Sequence, residues 1–273
     1  MTYKKTVLVL GSTGMLGHSV GRYFEEHSET YDTILSYRNE NVSYGKSRVY
    51  FDACHGNFDD LPRCDYIINC IGTIKPFMGE NVKNSIRINS VFPWLLADYC
   101  KQQNIKLIHI TTDCVFSGHG SLYTEESLHD ATDAYGKSKS LGEPTNCMVL
   151  RTSIIGEEVH KKASLIEWAK AQAWGEVNGY TNHYWNGIST KQYAKICDQI
   201  ITSELYAEGL FHIFSPGSVT KYELLSLIND RFNLLIKINP FVADQSIDRT
   251  LSSKRELNSK LSIPDIQQQI EEI

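Results

Sequence analysis

The sequence predicts an α/β protein, with a Rossmann-type doubly wound parallel sheet and a smaller C-terminal α/β substrate lobe. Three observations support this fold class. Short apolar runs alternate with segments of helical apolar spacing through the first half of the chain, which is typical of right-handed βαβ units. A glycine-rich turn joins the first strand to the first helix. The pattern changes after Gly156, so we predict a first domain over 1–156 and a lobe over 157–273 that packs on it and is not independent.

The strand-like segments of the first half are short and rich in β-branched residues, as buried parallel strands are. They cover residues 6–10, 33–37, 48–51, 65–70, 106–111 and 147–152. Helical spacing covers residues 16–27 and 82–103, and Pro93 is expected to bend the second helix or to begin a new first turn. Later helices are expected over 164–173, 190–202 and 221–232, and later strands over 209–214 and 235–238.

Composition excludes several function classes. With 41% hydrophobic and 22% charged residues, the chain has the profile of a soluble globular protein. Its net charge of -5 provides no positive surface for nucleic acid or an anionic membrane. The apolar runs fall far short of the roughly 20 residues of a membrane span, and the N-terminus does not read as a signal peptide. We therefore expect a cytoplasmic protein with no nucleic-acid or membrane partner.

The cysteines predict neither a disulfide framework nor a metal site. The chain has seven, an odd number, and none stands in Cys-x-x-Cys or zinc-ligand spacing. We expect free thiols in a reducing compartment and no bound metal.

Residues 11–17 read Gly-Ser-Thr-Gly-Met-Leu-Gly and predict a dinucleotide-binding turn. The first glycine permits a tight turn, the second lets the backbone approach a pyrophosphate, and the third allows close packing of helix on strand. The position between an apolar strand and an amphipathic helix is the context that this motif requires. Cofactor contacts are expected from Gly11, Thr13, Gly14, Met15, Leu16 and Gly17.

The end of the second strand favours NADP(H) and leaves NAD(H) open. A carboxylate there would bind the ribose 2′-hydroxyl of NAD, but the strand is followed by Arg38, and Glu40 comes two residues later. An arginine suits a 2′-phosphate because its planar fork binds phosphate bidentately. Asp52, after the third strand, is a candidate to accept a hydrogen bond from the adenine amine, with a surface-turn role as the alternative.

A catalytic group is predicted from Tyr135 and Lys139, the one Tyr-x-x-x-Lys pair in the chain. Residues four apart share a helix face, and a nearby cation favours the phenolate that acid–base work near neutrality requires. Thr112 ends a predicted strand at the carboxyl edge of the sheet, where ligands bind, and Thr111 could share its role.

A hydroxyl, a tyrosine and a lysine in this order, after the glycine turn, resemble the short-chain dehydrogenase/reductase superfamily. That resemblance implies further cofactor contacts from Cys70, Ile71, Gly72, Asn89 and Thr111. Residues 11–17, 110–118, 135–139 and 150–153 together resemble the dTDP-4-dehydrorhamnose reductase family in particular, while residues 69–76 look like a subgroup distinct from the rhamnose enzymes proper.

The family resemblance implies reduction by NADPH of the C4 ketone of a 4-keto-6-deoxy sugar carried on a nucleoside diphosphate, for surface polysaccharide synthesis. Tyr135 would donate the proton, Lys139 would tune Tyr135 and hold the ribose, and Thr112 would hydrogen-bond the reacting oxygen. The resemblance leaves open whether the protein forms a homodimer. The substrate contacts expected on this basis are Lys75, Cys114, Val115, Phe116, Trp185 and Arg249.

Two alternatives to a reductase stay open. An epimerase would use the same three residues, and a regulatory subunit of methionine adenosyltransferase also resembles this reductase family. Dehydration is disfavoured because the related dehydratases carry a glutamate base at the position of Cys114. Arg249 is the expected diphosphate contact, with a structural ion pair as its alternative, and Trp185 is equally consistent with a core position.

Overall fold

The computed structural model describes residues 4–38, 47–160 and 162–273. Its strands are β1 (Lys5–Leu10), β2 (Tyr31–Tyr37), β3 (Arg48–Tyr50), β4 (Tyr66–Asn69), β5 (Lys106–Thr112), β6 (Met148–Thr152), β7 (Ile154–Ile155), β8 (Glu176–Tyr180), β9 (His183–Trp185), β10 (Ile188–Ser189), β11 (Gly209–His212), β12 (Val219–Thr220), β13 (Lys237–Phe241) and β14 (Ile247–Asp248). Its α-helices are α1 (Met15–Glu26), α2 (Val82–Ile86), α3 (Phe92–Gln103), α4 (Ala134–Ser140), α5 (Leu165–Ala171), α6 (Thr190–Thr202), α7 (Lys221–Phe232), α8 (Leu257–Lys260) and α9 (Ile266–Glu271).

The predicted doubly wound parallel sheet is confirmed. Within the described residues, seven strands pair in the order β11-β6-β5-β4-β1-β2-β3, and each pair is parallel. Helices α1 and α6 pack on one face, with Val20, Phe24 and Ile196 in the core, and α3 packs on the other through Phe92 and Leu96. Burial on both faces explains why these strands are continuous apolar runs rather than alternating ones.

The predicted helix over 82–103 is interrupted. Helix α2 runs into a π-helical turn at Arg87–Val91, and α3 then begins with Pro93 in its first turn. Proline has no N–H to donate and is tolerated at a helix start, so the expected new first turn is confirmed. The π-helical turn carries Asn89, which is buried beneath the sheet edge.

The chain returns to the large sheet after residue 156. Strand β11 pairs with β6, and α6 packs against α1 in the same core. The rest of the predicted lobe has a separate hydrophobic core between α5, α7, α9 and Trp185. Part of the predicted substrate lobe therefore completes the seven-stranded sheet, because a strand distant in sequence extends its edge.

Three properties of the described residues bear on function: the character of the helices, the grouping of potential metal ligands and the state of the cysteines. No described helix has the length and apolar character to cross a membrane. In the described ranges, no group of three or more His, Cys, Asp or Glu side chains is arranged to hold a metal ion. All seven cysteines are free thiols.

A buried charge network ties β6 to its neighbours. Arg151 is fully buried, and its Nε and Nη2 atoms donate to the two carboxylate oxygens of Glu143 at 3.1 and 2.5 Å. The same guanidinium lies 2.8 Å from His212 Nε2 and 2.6 Å from His129 Nε2, and its carbon is 5.1 Å from the Phe116 ring centroid. Burial, then the Arg151 charge, lowers the pKa of His212 to about 4. Glu143 is therefore the anion that balances Arg151.

Replacing Glu143 with glutamine should destabilise the fold by about 3–5 kcal/mol, because it leaves the buried Arg151 charge without a counterion. Urea unfolding of the full chain measures this change. The matched control is Glu176→Gln, which breaks an ion pair between the exposed side chains of Glu176 and Lys237 and should have a much smaller effect on stability. Equal effects of the two substitutions would contradict the role given to the network.

Candidate active site

The glycine turn has the geometry of a phosphate cradle. Gly11 has φ +80°, which favours glycine, and its N–H donates to Ser36 Oγ at 2.8 Å. A Cβ on Gly17 would lie 2.1 Å from the Gly11 carbonyl oxygen, so only glycine allows α1 to begin so close to β1. Gly14 is the exposed N-cap of α1, and no side chain caps that helix. The first N–H groups of α1 are thus left for an anionic ligand, which fits a dinucleotide pyrophosphate.

The other residues predicted around the cofactor differ in what they can contribute. Thr13 and Met15 are half-buried, whereas the Leu16 side chain is in the hydrophobic core, so only its backbone could reach a cofactor. Arg38 is exposed at the end of β2, as the NADP(H) prediction requires. The alternative ribose ligand Glu40 lies outside the described residues.

Asp52 follows β3 and stabilises its own turn. Its Oδ1 accepts a hydrogen bond from the Cys54 N–H at 2.8 Å, and its Oδ2 lies 3.5 Å from His55 Nδ1. The side chain is 21% exposed. The surface-turn role is therefore seen directly, and a contact to adenine stays a prediction.

The loop after β4 is held by a chain of buried hydrogen bonds. The Ile71 N–H donates to Asn69 Oδ1 at 3.1 Å, and Asn69 Nδ2 lies 3.0 Å from His109 Nδ1. His109 Nε2 is 3.1 Å from the Gly142 carbonyl oxygen, so this nitrogen carries the proton. Burial, and then the Lys139 charge, hold the pKa of His109 well below its usual range, so the ring is neutral. These bonds fix Cys70, Ile71 and Gly72 at the edge of the sheet.

Asn89 was predicted to contact the cofactor; its side chain is bonded within the protein, and a cofactor contact stays a prediction. Its Oδ1 accepts from the Thr73 N–H at 2.8 Å, while its Nδ2 donates to the Thr73 carbonyl at 2.9 Å and to Ser138 Oγ at 3.1 Å. The side chain is 1% exposed. Since its polar atoms bond to Thr73 and Ser138, Asn89 positions the loop after β4 against α4.

The three predicted catalytic residues come together at the end of β5. The Thr112 hydroxyl accepts from the Cys114 N–H at 3.2 Å, and the phenol of Tyr135 interacts with the same hydroxyl. Lys139 is buried and its Nζ donates to the Ile110 carbonyl at 3.1 Å. Helix α4 places Tyr135 and Lys139 on one face, as the four-residue spacing predicted.

Thr111 does not share the position of Thr112. Successive strand residues point to opposite faces of a sheet, so only Thr112 meets Tyr135. The Thr111 hydroxyl is buried and has no hydrogen-bond partner in the part of the chain that the structure describes.

The pKa of Tyr135 is shifted in the opposite direction to the expected one, since a nearby cation was expected to favour the phenolate. Burial raises the pKa of the Tyr135 phenol, and the neighbouring Cys114 adds to the increase, so the phenol is neutral near pH 7. Burial also lowers the pKa of Lys139 to about 8, with Glu143 opposing the shift. A neutral phenol is the proton-donating form, as for any tyrosine near neutral pH, and the raised pKa makes it a weaker acid than an exposed tyrosine.

Three predicted substrate contacts are buried side chains, and their contact with a substrate stays a prediction. Val115 and Phe116 are fully buried, and the Phe116 ring stacks on Tyr123 with 4.2 Å between centroids. Trp185 is 6% exposed and belongs to the second hydrophobic core, which was the stated alternative. These side chains form walls behind the site because the turn after β5 folds back under the C-terminal segment.

The remaining predicted substrate contacts have partners within the protein. Lys75 is exposed and pairs with Asp133, the N-cap of α4, at 3.1 Å. Arg249 donates from Nε to the Phe116 carbonyl at 2.8 Å and from Nη2 to the Ser117 carbonyl at 2.9 Å. Burial raises the pKa of the Cys114 thiol to about 12, so it is a neutral wall residue rather than a nucleophile.

Two polar residues beside the site were missed by sequence reasoning. Asp113 is buried next to Thr112, whose hydroxyl donates to Asp113 Oδ1 at 3.1 Å, and burial raises the pKa of this carboxyl. Lys221 interacts electrostatically with Asp113 and Cys114 from the start of α7. The sequence contains a signal for Lys221. A lysine directly after the helix-capping Thr220 lies at the positive end of the helix dipole, where a cation is unfavourable.

Comparisons with known proteins identify the family and the fold. A family model described as RmlD substrate binding domain matches residues 5–272. The chain is similar to methionine adenosyltransferase 2 subunit beta of Mus musculus, at 26% identity over 84% of this chain and 73% of the relative. It is also similar to dTDP-4-dehydrorhamnose reductase of Aggregatibacter actinomycetemcomitans, at 24% identity over 96% and 92%. The solved dTDP-4-dehydrorhamnose reductase of Bacillus anthracis str. Ames in complex with NADP shares the fold, with TM-score 0.77, 20% identity and coverage of 99% and 98%.

Binding of NADPH to the free protein should weaken as the pH rises above about 8, where Lys139 loses its proton. The sign follows because the neutral amine of Lys139 no longer attracts the anionic dinucleotide, so the dissociation constant rises with pH until Lys139 is fully deprotonated and then levels off. Fluorescence titration between pH 6 and pH 10 measures this. The Lys139→Arg variant, which keeps its charge, should lose the alkaline weakening; a variant with the same alkaline limb would contradict the assignment.

Proposed function

The chain belongs to the RmlD substrate binding domain family, and we propose that it is an NADPH-dependent reductase of the C4 ketone of a nucleoside-diphosphate-linked 4-keto-6-deoxy sugar. The observation that carries this proposal is the meeting of Thr112, Tyr135 and Lys139 at the carboxyl edge of the sheet, beside the uncapped start of α1. We assign the product to surface polysaccharide synthesis on the family resemblance alone.

Each residue of the group has a distinct task in a ketone reduction. A bound nicotinamide cofactor supplies the hydride. Tyr135, held neutral by burial, donates its proton to the developing alkoxide, and the Thr112 hydroxyl stabilises charge at the same oxygen. Lys139 lies four residues after Tyr135 on α4 and would hold the ribose and favour the phenolate as the proton leaves.

A second candidate is a non-catalytic subunit of a larger enzyme. The similarity to methionine adenosyltransferase 2 subunit beta favours it, and fold does not fix function. The presence of Thr112, Tyr135 and Lys139 at the end of β5 and on α4 supports the reductase, because a regulatory subunit has no need of an acid–base group. An epimerase would interconvert the C4 configurations without net consumption of NADPH.

The Tyr135→Phe variant should lose about 10²–10⁴-fold in rate, because it removes the proton donor, while NADPH binding stays within about twofold. The assay follows NADPH oxidation with dTDP-, UDP- and GDP-linked 4-keto-6-deoxyhexoses. Tyr206→Phe is the matched control, since its ring lies beside Lys106 at the opposite edge of the sheet. Turnover of Tyr135→Phe near the wild-type rate would contradict the proton-donor role, and no turnover by the wild type would favour the non-catalytic candidate.

Cofactor choice should depend on Arg38. Its replacement by glutamine should raise KM for NADPH about tenfold or more and leave KM for NADH unchanged, because a charge-assisted bond to the 2′-phosphate is lost. Steady-state kinetics with both cofactors measure this, and Arg63→Gln, at an exposed site before β4, is the control. A wild-type preference for NADH would show that the assignment of Arg38 is wrong.

A further inference from the structure

The proposed reduction consumes the proton of a buried phenol. Tyr135 gives that proton to the substrate oxygen, so it must regain one before the next turnover. Because burial raises the pKa of Tyr135, its phenolate is a strong base that takes a proton from a neighbouring donor. The Thr112 hydroxyl is hydrogen-bonded to the phenol, which makes it the neighbouring donor.

The Thr112 hydroxyl also connects the phenol to a buried carboxyl. Asp113 is 6% exposed, and its Oδ1 lies 3.1 Å from Thr112 Oγ1. A hydroxyl has one proton and accepts through two lone pairs, so Thr112 donates to Asp113 when the carboxyl is ionised. When Asp113 is protonated, its O–H donates to Thr112 instead and leaves the threonine proton for Tyr135. Oxygens of Asp113, Thr112 and Tyr135 therefore form a continuous hydrogen-bonded chain.

The groups around Asp113 stabilise both of its protonation states. Burial is the largest effect on its pKa and raises it, which favours the acid form. Arg249, from the segment after β14, and Lys221, from the start of α7, oppose this increase because they stabilise the carboxylate. Cys114 and Tyr135 also face Asp113, and both are neutral near pH 7. Asp113 can therefore release a proton inside the protein, and two cations balance the carboxylate that remains.

We propose that Asp113 is a positioning residue that resupplies the proton of Tyr135 through Thr112. This inference rests on the proposed function, because it begins from the phenolate that ketone reduction leaves. The Thr112 hydroxyl gives its proton to the phenolate oxygen as it receives the proton of the Asp113 carboxyl. One O–H bond breaks on Asp113 and one on Thr112, one forms on Thr112 and one on Tyr135, and the Asp113 carboxylate then regains a proton from water.

The Asp113→Asn variant separates this role from a structural one, because asparagine has the same shape and no acidic proton. The first turnover uses the proton already on Tyr135, whereas each later turnover needs a new one. In stopped-flow mixing of the full-length protein with NADPH and a 4-keto sugar nucleotide, the variant should keep its first-turnover rate within about threefold of the wild type. Its steady-state rate should fall about tenfold or more.

The matched control is Asp130→Asn. Asp130 lies between β5 and α4, as Asp113 does, but its carboxylate accepts from the Ser117 N–H and hydroxyl. Both rates of this variant should stay close to those of the wild type.

The pH dependence of the wild type should carry the same signature. Only the acid form of Asp113 can give a proton, so the steady-state rate should fall as the pH rises through the raised pKa of this carboxyl, while the first-turnover rate should not fall there. This decline should be absent from Asp113→Asn.

Infrared difference spectroscopy without substrate tests the proton donor separately from the reduction. During a pH titration, the carbonyl stretch of a protonated carboxyl should persist above pH of about 3.9, where an exposed aspartic acid is half ionised. The band should be missing from Asp113→Asn and shifted in Thr112→Val, because valine cannot accept the carboxyl proton.

Equal losses of first-turnover and steady-state rate in Asp113→Asn would overturn the inference, as would unchanged rates or a carboxyl band that neither substitution alters. A wild type that reduces no 4-keto sugar but shows a band dependent on Asp113 and Thr112 would refute the proposed reduction and support the proton-donating pair.

Discussion

The parallel pairing of β5 between β4 and β6 is the interaction on which the site depends. This register places Asn69 beside His109 and Thr112 beside Thr152, so the polar ends of the central strands meet at one edge. His109 then connects that edge to α4 through the Gly142 carbonyl. Helix α4 is thereby held where Tyr135 meets the Thr112 hydroxyl, and a shift of one residue in β5 would turn Thr112 to the opposite face.

Burial sets most of the electrostatics of the site. It keeps the Tyr135 phenol neutral, brings the pKa of Lys139 to about 8 and makes Cys114 an inert wall. The chain has a net charge of -5, so an anionic ligand would have to be recognised by local features. The uncapped start of α1 at Gly14 is one such feature.

Local patterns were sufficient to predict much of the fold and the centre of the site. The strands of the large sheet and helices α6 and α7 follow from apolar runs and helical spacing, and Tyr135 and Lys139 follow from a four-residue spacing on one helix. Side-chain directions after a strand end depend on tertiary packing, which is why Phe116 was placed at the substrate although it is fully buried, and why Trp185 was left open between the pocket and the core. For the same reason Asn89 was placed at the cofactor, although a π-helical turn directs it to Thr73 and Ser138. The return of β11 to the sheet involves a contact between distant segments, which no local pattern encodes.

The most direct test of the proposed reduction is to follow the transferred hydrogen. The protein is incubated with NADPH carrying deuterium on the reactive carbon of the nicotinamide and with a nucleoside-diphosphate 4-keto-6-deoxyhexose, and the product sugar is examined by mass spectrometry and NMR. The proposed function predicts a single deuterium at C4 of the product sugar, with the new hydroxyl proton supplied through Tyr135. A product without deuterium at C4, or consumption of NADPH with no reduced sugar, would contradict it.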